Sequence, residues 1–251
     1  MDGEGINLSI GHSCLDMDLE MLKGYSYLLQ PHAKVIIPIA PFYSILGNYT
    51  ETMTQFDIYK YYRVLKHIQA YKESMLESLN GFINTKTIKK YLKYLYHDVE
   101  KDTRKFQTEQ QYSVEELETN AQNYIKGWLS EFMIDSLDAP LTNENTKRRL
   151  ESTIHLQRII DYCNDNHFRP VLVLLPMTEH LLKRMGPEFR EIYIYSFLNP
   201  VIDSTGVPCI NYIEDNRFTD DKYYCNALFL NRTGAKYFTK KILLDIDLIL
   251  Q

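Results

Sequence analysis

Three short apolar runs constrain this chain more than anything else in it: Ile6 to Ile10, Val35 to Ile39 and Val171 to Leu175. A strand buried on both faces reads as a continuous apolar run, whereas a strand with one wet face alternates; these three are read as the first kind. A weaker fourth run, Cys209 to Tyr212, follows the breakers Gly206 and Pro208. Helical spacing separates the runs. Leu15, Leu19, Leu22 and Leu29 follow the first run, with Asp16 and Asp18 near the positive helix start. Leu150, Ile154, Ile160 and Cys163 precede the third and stop at Asn164 to Asn166, and Tyr237, Phe238, Ile242, Leu243, Ile246 and Ile249 form a last amphipathic stretch. Strands alternating with helices predict right-handed crossovers and an α/β fold, a flavodoxin-like parallel sheet with helices on both faces.

Between about residues 48 and 143 the pattern turns wholly helical. Ile58, Tyr61, Tyr62, Leu65, Ile68, Met75 and Leu79 fit one helix, and Ile88, Tyr91, Leu92, Leu95 and Tyr96 a second. A third begins at Ser113, whose hydroxyl can cap while Glu116 reaches back, and runs through Leu117, Ala121, Tyr124, Trp128 and Phe132. The stretch is read as a helical insertion in a single domain spanning residues 1–251, with polar residues 98–111 as a connection.

The 251 residues are 45% hydrophobic, enough for one sizeable core, and a net charge of −5 argues against nucleic acid as the main partner. No run approaches the roughly 18–20 apolar residues that span a bilayer, and no signal-peptide pattern opens the chain. A soluble, cytoplasmic protein is expected, with an anchor ahead of Met1 left open. Cys14, Cys163, Cys209 and Cys225 lie scattered without CxxC or zinc spacing, so buried thiols are expected, and neither metal nor cofactor is implied.

Ligands of open parallel sheets bind beyond the carboxyl ends of the strands. That rule selects four loops: Gly11 to Ser13, Pro41 to Ser44, Pro176 to His180, and Asn226 to Asn231. His12 beside Ser13 invites a base-and-nucleophile reading, although neighbours in sequence rarely aim at each other and Ser13 can equally cap the next helix. Ser44 and His180 are the other nucleophile and base candidates; the default for His180, behind Glu179 at a helix start, is a solvated surface side chain. The many tyrosines offer either core packing or aromatic platforms for a sugar or a protein.

The order of segments resembles the SGNH (GDSL-like) hydrolases, in particular the DltD-like group associated with cell-surface polysaccharides. Ile6 to Ile10, Leu15 to Leu29 and Ala33 to Ile39 carry the likeness, together with Arg169-Pro-Val-Leu-Val-Leu-Leu-Pro and the tail Asn226-Ala-Leu-Phe-Leu-Asn-Arg-Thr-Gly-Ala-Lys-Tyr-Phe-Thr. The resemblance implies ester hydrolysis or O-acyl transfer on glycans, by a serine helped by an Asp-x-x-His pair in the tail. Here the Asp position reads Asn226 and the His position Phe229, which takes no proton. The family's serine block would lie on a strand ahead of Ile6 to Ile10, a segment that starts five residues after Met1. A chain without that block is expected to be shortened, to have the gap filled by another segment or subunit, or to re-order its sheet. Loss of one triad member costs roughly 10⁴–10⁶ in rate. The expectation is a degenerate, inactive relative. The alternatives are a scaffold that binds a cell-surface glycan or another protein subunit, and an esterase using substitute residues.

Overall fold

The computed structural model describes residues 5–8, 14–47 and 112–250. The two helices read between Ile58 and Tyr96, the connection at 98–111, and the Gly11 to Ser13 loop with both of its candidates, His12 and Ser13, lie outside the described residues.

The protein is α/β. Helix α1 (Leu15–Tyr25) leads through a 3-10 turn to strand β1 (Lys34–Ile39); α2 (Val114–Glu131) and α3 (Asn143–Asp165) precede β2 (Arg169–Leu174). Then come α4 (Glu179–Arg190), a π turn at Glu191–Tyr195, α5 (Ser196–Thr205), β3 (Cys209–Asn211) and α6 (Arg232–Ile249). Among the described residues the three strands form one parallel sheet in the order β1-β2-β3.

Central β2 explains the continuous apolar run. Leu172 and Leu174 join Ile37 and Ile39 in one core, packed under α1, α3, α4 and α5 through Leu19, Leu156, Phe189 and Phe197 among others. Val171 and Val173 face the opposite core, against Phe238, Ile242 and Ile246 of α6, with Ile36 and Ile210 alongside. Helices therefore cover both faces, and every residue of β2 after Arg169 is buried.

The edges are managed by proline. Ala33 O accepts from Arg169 N at 2.9 Å, so alternate residues from Ala33 turn their backbone groups toward β2, and Lys34, Ile36 and Pro38 turn theirs outward. Pro38, which has no N–H to offer, thus stands on the outward edge, where a strand tolerates it. Pro170 faces β3's side one step before that ladder begins at Leu172 and Cys209. No strand pairs with the outer edge of β1 among the described residues. The strand expected at Ile6 to Ile10 is not present at Ile6, Asn7 and Leu8, which carry no regular structure, with Ile6 exposed. The reason is visible in its composition: Asn7 and Ser9 interrupt the run, so it lacks the unbroken apolar character of β2.

Helix ends follow local chemistry. The Ser113–Glu116 capping box at the start of α2 is formed in both directions, Glu116 N donating to Ser113 Oγ (3.2 Å) and Ser113 N to Glu116 Oε2 (2.8 Å). Ser113→Ala is expected to cost about 1 kcal/mol, read as a lower denaturant midpoint, and Ser113→Asp is expected to restore most of it. Gly206 ends α5 in the left-handed region (φ 67°), as its place before β3 requires. The periodicity located α3 and α6 correctly, but Leu150 and Ile154 face outward; Leu156, Ile159, Ile160 and Cys163 form the buried stripe of α3. Leu29 lies beyond α1 in extended backbone.

Candidate functional site

Two of the predicted loops, Pro41 to Ser44 and Pro176 to His180, leave the carboxyl ends of β1 and β2, and the Asn226 to Asn231 segment folds against the second of them. Thr178, fully buried, makes that join. Its hydroxyl caps α4 by accepting from Leu181 N and donates to Ala227 O at 2.8 Å, while Thr178 N donates to the same carbonyl. From α2, Asn120 Oδ1 accepts from Ala227 N at 2.8 Å. Segment 223–231 is a tight hairpin, with Tyr224 and Leu230 bridged antiparallel and Asn231 N donating to Tyr223 O.

The family-derived positions sit in this hairpin. Asn226 Oδ1 accepts from the N–H groups of Leu228 (2.9 Å) and Phe229 (2.7 Å), closing an Asx turn. Phe229 stands at the tip, 45% exposed. Behind them Tyr124 of α2 is buried enough to push its phenol up, against an opposing hydrogen bond with Asn226.

Ser44 meets no base among the described residues: it is 1% exposed, and its buried hydroxyl has no hydrogen-bond partner among them. At this end of the sheet Phe42, Ile45, Met177 and Ala227 are all buried and belong to one core. The Phe42 ring lies 4.6 Å from Trp128 and from Phe132, and 4.9 Å from Phe189.

His180 begins α4, with an imidazole only 15% exposed rather than solvated. Nδ1 lies 2.8 Å from Glu118 Oε1 on α2, and Nε2 lies 3.0 Å from Asp221 Oδ2 in the 3-10 turn Asp221–Tyr223. Arg184, one turn further along α4, holds the second oxygen of Glu118. Those hydrogen bonds, from His180 first and then Arg184, lower the Glu118 carboxyl below its usual range. For His180, burial pulls down, and the hydrogen bonds to Asp221 and Glu118 outweigh it, so the imidazole sits above its ordinary value.

Sequence reasoning selected His180 but not its partners. Glu118 and Asp221 lie 62 and 41 residues away and no spacing rule connects them. Among the described residues no serine hydroxyl and imidazole share a hydrogen bond, and no group of three or more His, Cys, Asp or Glu side chains is placed to hold a metal. The four cysteines form no disulfide, and burial pushes Cys163 up to about 12 and Cys209 up to about 11, far from nucleophilic thiolates. No described helix is long and apolar enough to cross a membrane. Comparison with models of known protein families, with curated proteins and with solved structures finds no match for this chain.

Proposed function

We propose that the chain is a catalytically silent relative of the SGNH hydrolases, which keeps a parallel α/β frame and uses its surface for binding rather than for acyl transfer. One observation carries this reading: the imidazole at the carboxyl edge has both ring nitrogens engaged by carboxylates, while the candidate nucleophile Ser44 is buried. A general base needs a free lone pair aimed at the proton it removes. Both nitrogens of His180 face carboxylates, so neither is aimed at a substrate proton. The tail supports the same reading, because Asn226 spends its acceptor on a turn and Phe229 presents a ring.

The family kinship itself rests on the order of the segments and on the tail run, and the strand order β1-β2-β3 is compatible with it. The proposed ligand is a cell-surface glycan or another protein subunit, held without turnover. A fluorogenic short-chain ester assay on the full chain tests the central claim. Hydrolysis is expected to stay at the buffer rate, with no change in His180→Ala, Ser44→Ala, His12→Ala or Ser13→Ala. Turnover above background that any of these substitutions abolishes would sink the proposal and favour an esterase built on substitute residues.

A further inference from the structure

We propose that Glu118, His180 and Asp221 form a proton-operated clasp that fixes α2 against the carboxyl edge of the sheet, closed while the imidazole carries both protons and loosened when it loses one. The argument is first geometric. Both partners of the ring are carboxylate oxygens, at 2.8 and 3.0 Å, and a carboxylate only accepts. Both nitrogens must therefore donate, which only the imidazolium does. A neutral ring keeps one N–H and turns a lone pair toward the other carboxylate, so one contact changes from attraction to repulsion.

The three groups belong to three elements, and the clasp joins them. Glu118 lies in the first turns of α2, His180 at the start of α4, and Asp221 in the turn that leads into the 223–231 hairpin. The surrounding charges among the described residues are Arg184, bonded to Glu118, the Glu179–Lys183 pair on α4, and the Asp220–Lys222 pair that flanks Asp221. With His180 protonated, Glu118, Asp221, Arg184 and His180 together balance. Without that proton the two carboxylates keep Arg184, bonded to Glu118, and the more distant charge of Lys183. Nearby hydrogen bonds do not titrate in this range: Asn120 to Ala227 and Thr178 to Ala227 keep the hairpin placed while the outer end of α2 is freed.

The sign follows from the upward displacement of His180. A group whose folded value is raised contributes its full stabilisation below the unfolded value, about 6.5 for histidine, and loses it as pH rises through the folded value. The clasp is closed in mildly acidic solution and opens toward alkaline pH, with no reference to whether the edge binds or turns over anything.

The test uses the full chain with labelled histidine. Nuclear magnetic resonance should show His180 titrating above the ordinary value, and hydrogen exchange, corrected for its intrinsic pH dependence, should show protection of the first half of α2 falling about tenfold through that titration, as loss of one half-exposed charge-assisted hydrogen bond implies. In His180→Gln the protection should be low and flat with pH. Should that variant fail to fold, Asp221→Asn should lower the His180 titration and shrink the step. A titration at or below the ordinary value, or α2 protection indifferent to it, overturns the proposal, as does an unchanged step in Asp221→Asn.

Discussion

Replacing Gly234 by alanine is expected to destabilise the protein by about 3 kcal/mol, a fall in thermal midpoint of roughly 6–12 °C for a chain of this size. Helix propensity argues the other way. Within a helix, glycine to alanine ordinarily gains about 0.5–1 kcal/mol. Gly234 lies in the first turn of α6, but a β-carbon there would sit 2.1 Å from Tyr223 O and 2.9 Å from both Tyr223 C and Tyr223 Cβ. The obstacle is backbone, which cannot swing aside, so either α6 or the hairpin must move. Since α6 alone supplies Phe238, Ile242 and Ile246 to the second core, its displacement is felt along the sheet. Gly127 in α2 is the internal control, because among the described residues nothing outside its own helix backbone lies within 4 Å of an added β-carbon. Gly127→Ala is expected to be neutral or to stabilise slightly. In thermal melts Gly234→Ala should fall well below the parent while Gly127→Ala stays at or slightly above it; a Gly234→Ala protein as stable as the parent would mean the hairpin does not press on α6 as described.

Asn231→Ala is expected to cost about 2–4 kcal/mol. The side chain is 2% exposed and works at both ends. Oδ1 caps α6 by accepting from Gly234 N at 2.8 Å, and Nδ2 donates to Lys222 O at 2.6 Å and, more weakly, to Tyr224 O at 3.4 Å. The cap alone is worth about 1 kcal/mol, and the rest is the carbonyls left without a donor. Aspartate separates the two contributions. It caps a helix as well as asparagine does, but it carries no donor and would set a carboxylate against Lys222 O. Asn231→Asp is therefore expected to be no better than Asn231→Ala in denaturant unfolding. Full rescue by aspartate would show that only the cap matters.

These two positions change the meaning of the tail. Asn231 and Gly234 belong to the run that carries the family resemblance, Leu-Asn-Arg-Thr-Gly-Ala. Their duty is architectural: one ties the hairpin to the helix and the other lets the two approach. Both residues seat α6 against the sheet, a duty that is independent of any chemistry in the tail.

The α/β class was legible from the apolar runs because burial on both faces leaves a local trace, an unbroken run such as Val171 to Leu174. The capping box at Ser113 was equally legible, since its partners lie three residues apart. Failure at Ile6 to Leu8 has the converse reason: short segments of mixed pattern carry too little local information, and a neighbouring strand decides them. Leu150 and Ile154 show the same limit within a helix, where periodicity locates the element but its tertiary neighbours choose the buried face.

What the amino-acid order determined by itself is everything set by neighbours within a turn or a strand: the parallel α/β pattern, the helix starts, and a tail without proton-transfer groups at Asn226 and Phe229. Only the tertiary structure decided that Ser44 is buried and that His180 is clasped between Glu118 and Asp221. Those outcomes depend on residues tens of positions apart, brought together by burial of two cores on either side of one sheet. Hydrophobic burial is non-directional, so a sequence announces that such contacts will form long before it says which groups will meet.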